Sequence, residues 1–169
     1  MKVHIVYCHP SEQSYTYEVL TQVKETLQKA GILYTISDLY AQQFIADMSA
    51  AEYEREGFAN LELPIPKDVK AEQEKIAMAD GVVFIYPVWW SDCPSKLKGW
   101  FDRVYSVGYA YGYKESAQIE KMKTVPYGLV LCTAGHPNDY LKEIGIAESM
   151  RNVMIDDRLG QRFRHKEMI

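Results

Sequence analysis

Two adjacent indoles, Trp89 and Trp90, follow Pro87 and Val88 directly after the apolar run Gly81–Tyr86. Pro94 then opens a second apolar pattern, Leu97, Trp100, Phe101 and Val104, at helical spacing. The order reads as a buried strand, a loop carrying two large aromatics, and a helix. In an open α/β sheet, the loop at that end of a strand lies on the edge where ligands bind. Large indoles exposed there are unfavourable unless something flat covers them. They either pack under their own loop or stack on a planar ligand, and polar signals at other strand ends favour the ligand.

The first of those signals is His9-Pro10-Ser11-Glu12-Gln13-Ser14-Tyr15-Thr16, which runs from the strand Val3–Cys8 into a helix. Free backbone N–H groups at the helix start, the Ser14 and Thr16 hydroxyls and His9 are suited to holding an anion. Taken alone, the same residues read better as an ordinary helix cap with a loop histidine. Neither G-x-G-x-x-G nor G-x-x-x-x-G-K-[ST] occurs. The second signal is Thr133-Ala134-Gly135-His136, after the strand Val125–Thr133; its small residues let the main chain come close to a flat ring. Alone it is a plain turn. The conjunction of three such loops is what raises a ligand site above an ordinary sheet edge. No nucleophilic triad, zinc cluster or carboxylate pair stands out, so no metal is expected and the catalytic residues are unknown. Cys8 and Cys132 at strand ends read as small apolar residues, His4 as structural, His165 as solvated in a C-terminal tail, and His136 as near the site.

The rest of the chain must position these loops. Its 169 residues are read as a single domain, 1–169, with 47% hydrophobic and 25% charged residues and a net charge of −4. That balance, with no basic stripe, excludes a nucleic-acid surface. Three scattered cysteines fit a reducing compartment. The N-terminal apolar run is too short for a signal peptide or a membrane span, which makes the cytoplasm the expected location.

Helical spacing predicts a helix from Tyr15 to Ala30 capped by Ser14 and stopped by Gly31, and Ser49-Ala50-Ala51-Glu52 is a capping box. Asp68 is expected to cap a helix to Ala79. A last helix, Ile146–Leu159, is expected to turn Ile146, Met150, Val153 and Met154 to one side. Strands alternating with helices give a parallel sheet with helices on both faces. Four strands are clear; only Phe163–Ile169 remains for a fifth, which is therefore short or missing unless the natural end is absent.

Tyr86-Pro-x-Trp-Trp-x-x-x-Pro-x-x-Leu-Lys-Gly-Trp-Phe-Asp-Arg-Val104, followed by Gly108-Tyr-Ala-Tyr111, resembles the NAD(P)H dehydrogenase (quinone) family of flavodoxin-like flavoproteins. The resemblance runs from Val3 to about Arg158. It implies a flavodoxin-like three-layer sandwich with strand order 2-1-3-4-5, and a flavin carrying two electrons from NAD(P)H to a quinone or similar flat acceptor. On the matching positions the resemblance implies that His9, Gln13, Tyr15 and Thr16 carry the phosphate end, where the loop itself places Ser14. Pro87, Val88, Trp89 and Trp90 line the isoalloxazine, and Thr133, Ala134, Gly135 and Tyr140 meet its pyrimidine side. Tyr111 and Tyr113, with His136, belong to the substrate pocket, the two tyrosines closing that of the neighbouring subunit.

Thr16 stands where the family usually has Asn, and Ala134 where it often has Gly. No histidine matches, around Ile144–Ala147, the one that mammalian members place near the flavin. The short C-terminus favours FMN over FAD. An alternative within the same resemblance is a flavin-binding ancillary subunit, for example of a potassium efflux system, with little turnover of its own. Trp100, Phe101 and Tyr105, with the Tyr109–Tyr113 loop, present enough aromatic surface to predict a homodimer.

Overall fold

From Val3 on, the first strand is buried on both faces, and Gly81–Pro87 is buried throughout. The central strands of a parallel sheet covered on two sides must be so. The computed structural model describes residues 1–112 and 122–169. Its five parallel strands, β1 (Lys2–Tyr7), β2 (Leu33–Asp38), β3 (Gly81–Pro87), β4 (Val125–Thr133) and β5 (Phe163–Met168), stand in the order β2-β1-β3-β4-β5. The chain adds β2 on one side of β1 and β3 on the other, and this reversal of strand order between β1 and β3 opens a crevice at the carboxyl edge.

α1 (Tyr15–Lys29) packs on one face, where Leu20 with Val19, Val23 and Leu27 meets Val3, Ile5, Tyr7, Val83 and Ile85. Ser14 caps it by accepting the Tyr17 N–H, and Gly31 leaves it at φ +65°. The other face carries α3 (Lys67–Ala77), α4 (Ser95–Val104) and the chain from α6 (Ile146–Arg151) onward, around Val6, Phe84, Trp100, Val130 and Met154. α2 (Ala50–Gly57) begins with the expected capping box, Ser49 and Glu52 each accepting the other's N–H. The irregular stretch around it is tied down by Arg103 of α4. That guanidinium donates to Asp68, Glu52 and the Ile45 carbonyl, each at 2.6 Å. Gly99 lets α4 reach the backbone of Ala46, where a Cβ would collide with main-chain atoms.

Five sequence expectations change here. Pro66, not Asp68, caps α3; Asp68 sits in its first turn with both oxygens on Arg103. The fifth strand is neither missing nor shorter than β1 and β2: it is six residues long and pairs with β4 from Phe163 to Met168. Its alternation of charges with few apolar residues suits an edge strand, which is why an apolar pattern understates it. His165 lies on that strand, stacked on Tyr127 at 5.4 Å, rather than in a tail.

Ahead of α6 stands α5 (Asn138–Glu143), and α6 continues as a π-helical segment, Asn152–Leu159. The wider pitch turns Ile155, Arg158 and Leu159 inward with Met154 and leaves Val153 exposed. Trp100, Phe101 and Tyr105 are at most 9% exposed. Phe84 lies against the first two, and Arg158 and Arg162 cover the latter two. They therefore offer no apolar surface to a second subunit.

Candidate functional site

Three loops converge at the carboxyl edge of β1, β3 and β4. The first and third touch through His9 and Trp89, whose ring centroids are 6.0 Å apart. The first and fourth are bonded beneath, through the Thr16 and Thr133 hydroxyls at 2.7 Å. The third and fourth are joined by the Val88 N–H donating to the Thr133 carbonyl at 2.7 Å. All three loops that sequence pattern singled out thus form one rim.

Between the third and fourth loops lies a cleft of about 510 Å³, within the range of small-molecule pockets. Val88, Trp89 and Trp90 form one side; Ala134, Gly135, His136 and Tyr140 form the other. His136 and Tyr140 lean on each other at 5.2 Å. Pro87 and Thr133 do not line the cleft: Pro87 is buried at the end of β3, and Thr133 is bonded below the rim. Ser91, Leu141, Ile144 and Ile146 complete the lining. They are ordinary residue types with no chemical signature in the sequence, although Leu141 and Ile144 share α5's spacing. A neighbouring cavity of about 500 Å³, walled by Cys132, Met150 and Met168, shares Ala134, His136 and Leu141 with the cleft.

Trp90 is wholly exposed, at 101% of the reference area, and Trp89 is 42% exposed. The turn that presents them is tight: the Trp89 N–H donates to the Asp92 carbonyl at 2.9 Å, and the Asp92 N–H to that of Trp89 at 3.2 Å. Its central residues, Trp90 and Ser91, have φ of 49° and 63°. Left-handed backbone on a side-chain-bearing residue costs on the order of 1–2 kcal/mol each. Asn-Gly is the usual choice for such a turn. Trp-Ser is not, and strain of this kind clusters at ligand sites.

Donors surround the cleft. The N–H groups of Trp90, Ser91, Ala134 and Gly135 have no acceptor among the described residues. At the first loop the N–H groups of Tyr15 and Thr16 open α1, where no intrahelical acceptor exists. His9 Nδ1 is 3.0 Å from both the N–H and the carbonyl of Ser11, and the Gln13 N–H donates to Ser11 Oγ. The Tyr15 ring is 76% exposed. Thr16, by contrast, is buried, its hydroxyl turned to Thr133.

Tyr111 is outside the cleft lining, its hydroxyl 3.4 Å from Glu56. Tyr113 lies outside the described residues. Burial pushes the Cys8 and Cys93 thiols up to about 12 and raises that of Cys132, so all three are neutral near pH 7. Among the described residues no cluster of His, Cys, Asp or Glu could hold a metal, and no helix is long and apolar enough to cross a membrane.

This edge, on this strand order, defines a flavodoxin-like protein. A flavodoxin-like fold family model matches residues 1–159, and the chain belongs to that family. Several of its relatives are redox enzymes by name. An NAD(P)H:quinone oxidoreductase from Methanothermobacter marburgensis has a structure matching all of this chain and 82% of its own, at 46% identity and a TM-score of 0.87. An uncharacterized NAD(P)H oxidoreductase of Haemophilus influenzae is 30% identical over 153 residues, 90% of this chain and 73% of its own length. A ribosyldihydronicotinamide dehydrogenase-like protein of Penicillium crustosum is 29% identical over 91% of this chain, which spans only 65% of that relative.

Proposed function

We propose that the chain is a flavin-dependent NAD(P)H:quinone oxidoreductase that uses one cleft in turn for donor and acceptor. The observation that carries the reading is the pair of solvent-facing indoles on a strained turn beside unpartnered backbone donors. An aqueous surface has no use for that arrangement, and a flat, polar-rimmed ring does. The cradle fits such a ring: a Cβ added at Gly135 would meet nothing within 4 Å, so the main chain is open to close approach.

His9, Gln13, Ser14, Tyr15 and the N–H groups that open α1 hold the phosphate end of an FMN. Thr16 acts through its bond to Thr133 rather than by direct contact. Trp89, Trp90 and Val88 wall the ring, and the N–H groups of Trp90, Ser91, Ala134 and Gly135 meet its polar rim. The bound flavin supplies two-electron hydride chemistry. Oriented main-chain dipoles favour negative charge on its ring and need no reorganisation during turnover. Ile144 and Ile146 add apolar surface to the cleft, and His136 and Tyr140 add polar side chains to it.

A homodimer, in which Tyr111 roofs the partner's cleft, rests on the family resemblance and on Tyr111 lying away from its own. The three unpaired cysteines accord with a reducing, cytoplasmic setting. The mass of the flavin released on denaturation tells FMN from FAD. Purified protein is expected to show flavin absorbance that NADPH bleaches and a soluble quinone restores, with steady turnover. Absence of flavin overturns the reading, and bleaching without quinone turnover transfers it to an ancillary subunit.

A further inference from the structure

Asp92 and Arg158, 66 residues apart in sequence, meet at the edge of the cleft. Arg158 donates from Nη1 to Asp92 Oδ1 at 2.7 Å and from Nη2 to Oδ2 at 2.9 Å. The Cys93 N–H donates to Oδ1 at 2.7 Å. The Arg158 side chain is 8% exposed, and its guanidinium lies over the Phe101 ring at 5.2 Å. A planar fork seated on an aromatic face is pre-organised for a carboxylate in a way that no lysine is. Arg158 comes from the π-helical segment, whose pitch carries it inward beside Met154. Such segments recur at functional sites.

Asp92 is the last residue of the strained Trp89–Asp92 turn. A turn with two left-handed side-chain-bearing residues is not self-supporting and relaxes unless its surroundings over-determine it. Its own two hydrogen bonds close it, and Arg158 is the outside group that fixes its end. Burial alone would raise the Asp92 carboxyl. The Arg158 and Cys93 hydrogen bonds outweigh that and hold it below the usual carboxylate range. The contact is therefore a true ion pair near pH 7.

We propose that Arg158 is a positioning residue for the cleft: by clamping Asp92, it keeps Trp90 and Ser91 in the left-handed conformation that presents their N–H groups and the Trp90 indole to the ligand. The ligand's identity rests on the flavin reading above; the clamp itself does not.

The test measures hydrogen exchange of the Trp89 and Asp92 amides in flavin-free protein, together with FMN affinity. It compares wild type, Asp92→Ala, Arg158→Met, and Arg158→Met combined with Ser91→Gly. Each single substitution is expected to speed exchange of both amides and to weaken FMN binding roughly tenfold, because only the fraction with a formed turn binds. Ser91→Gly relieves the left-handed penalty and is expected to recover both readouts without recovering melting temperature.

A folded variant with a lower melting temperature but unchanged turn exchange and FMN affinity shows a merely stabilising pair and overturns the proposal. If Arg158→Met does not fold, Asp92→Ala, at a half-exposed position, decides alone. A wild type that takes up no FMN overturns the flavin reading, and the exchange arm then decides the clamp by itself.

Discussion

Trp90 has no packing to lose, so its replacement separates binding from stability. Trp90→Ala is expected to leave the unfolding free energy within about 0.5 kcal/mol of wild type. FMN affinity is expected to fall by about 1 kcal/mol, a several-fold loss. Calorimetry and flavin titration check the two halves, and an unchanged affinity would mean that the ring stacks elsewhere. Thr16 behaves oppositely. It is buried, and Thr16→Val strands the Thr133 hydroxyl, with an expected cost of about 1–3 kcal/mol to stability as well as weaker flavin binding. At this scale the sequence marks residues by rarity and place. Paired indoles and a histidine at strand ends declare themselves. Ile144, Ile146 and Ser91 do not, because nothing in their chemistry distinguishes a cleft wall from any other half-buried position. Nor does a linear pattern show depth: Pro87 and Thr133 stand below the walls of the cleft.

Between elements, the buried Glu72 of α3 ties the sheet to α3 and α4 on one of its faces. It accepts from Ser37 of β2 at 2.8 Å, Lys75 at 2.6 Å and the Trp100 indole of α4 at 3.0 Å, with His4 of β1 3.8 Å away. Burial by itself would raise this carboxyl; the surrounding His4, Lys75, Trp100 and Ser37 outweigh it and hold it down to about 2. The folded value lies below the ordinary one of 4.5, so the network stabilises fully above that pH and loses its contribution as pH falls toward 2. Melting temperature is expected to drop through that window in wild type and to run flatter, from a lower start, in Glu72→Gln. Gly99→Ala is expected to destabilise by roughly 1–3 kcal/mol, since the added methyl drives α4 off Ala46. Chemical denaturation measures it.

Periodicity revealed most of these elements, and Ser14, Ser49 and Gly31 marked real ends. The π-helical pitch escaped it, because Val153 falls on the inner face of a 3.6-residue turn and leaves that face only when the turn widens. β5 was understated for its charges, and α5 was hidden behind a loop read for its small residues.

The whole chain folds so that three loops distant in sequence meet at one switch point, and strand order alone accounts for that meeting. Composition had no means to show where the aromatic residues go. Their abundance around Trp100 looked like an interface, yet the sheet and the last helical segment cover them within one chain. A shared pocket of the proposed kind requires a dimer built from the Tyr111 side of the molecule. Light scattering at micromolar concentration is expected to give twice the chain mass. Tyr111→Ala is expected to lower quinone turnover while leaving flavin content unchanged; a monomer with full activity would remove the shared pocket.

The three tryptophans span the whole range of surroundings, from Trp100 at 0% exposure with its indole N–H on Glu72, through Trp89 at 42%, to Trp90 at 101%. The molecule thus carries a built-in optical gauge. Trp100 should emit toward the blue and be shielded from iodide, while Trp90 should emit toward the red and be fully quenchable. A ring stacking on the third loop would quench the red component most strongly, by direct contact, and loosening of the core would move the blue one. Occupancy of the cleft and integrity of the fold are then readable as separate colours from one unlabelled sample.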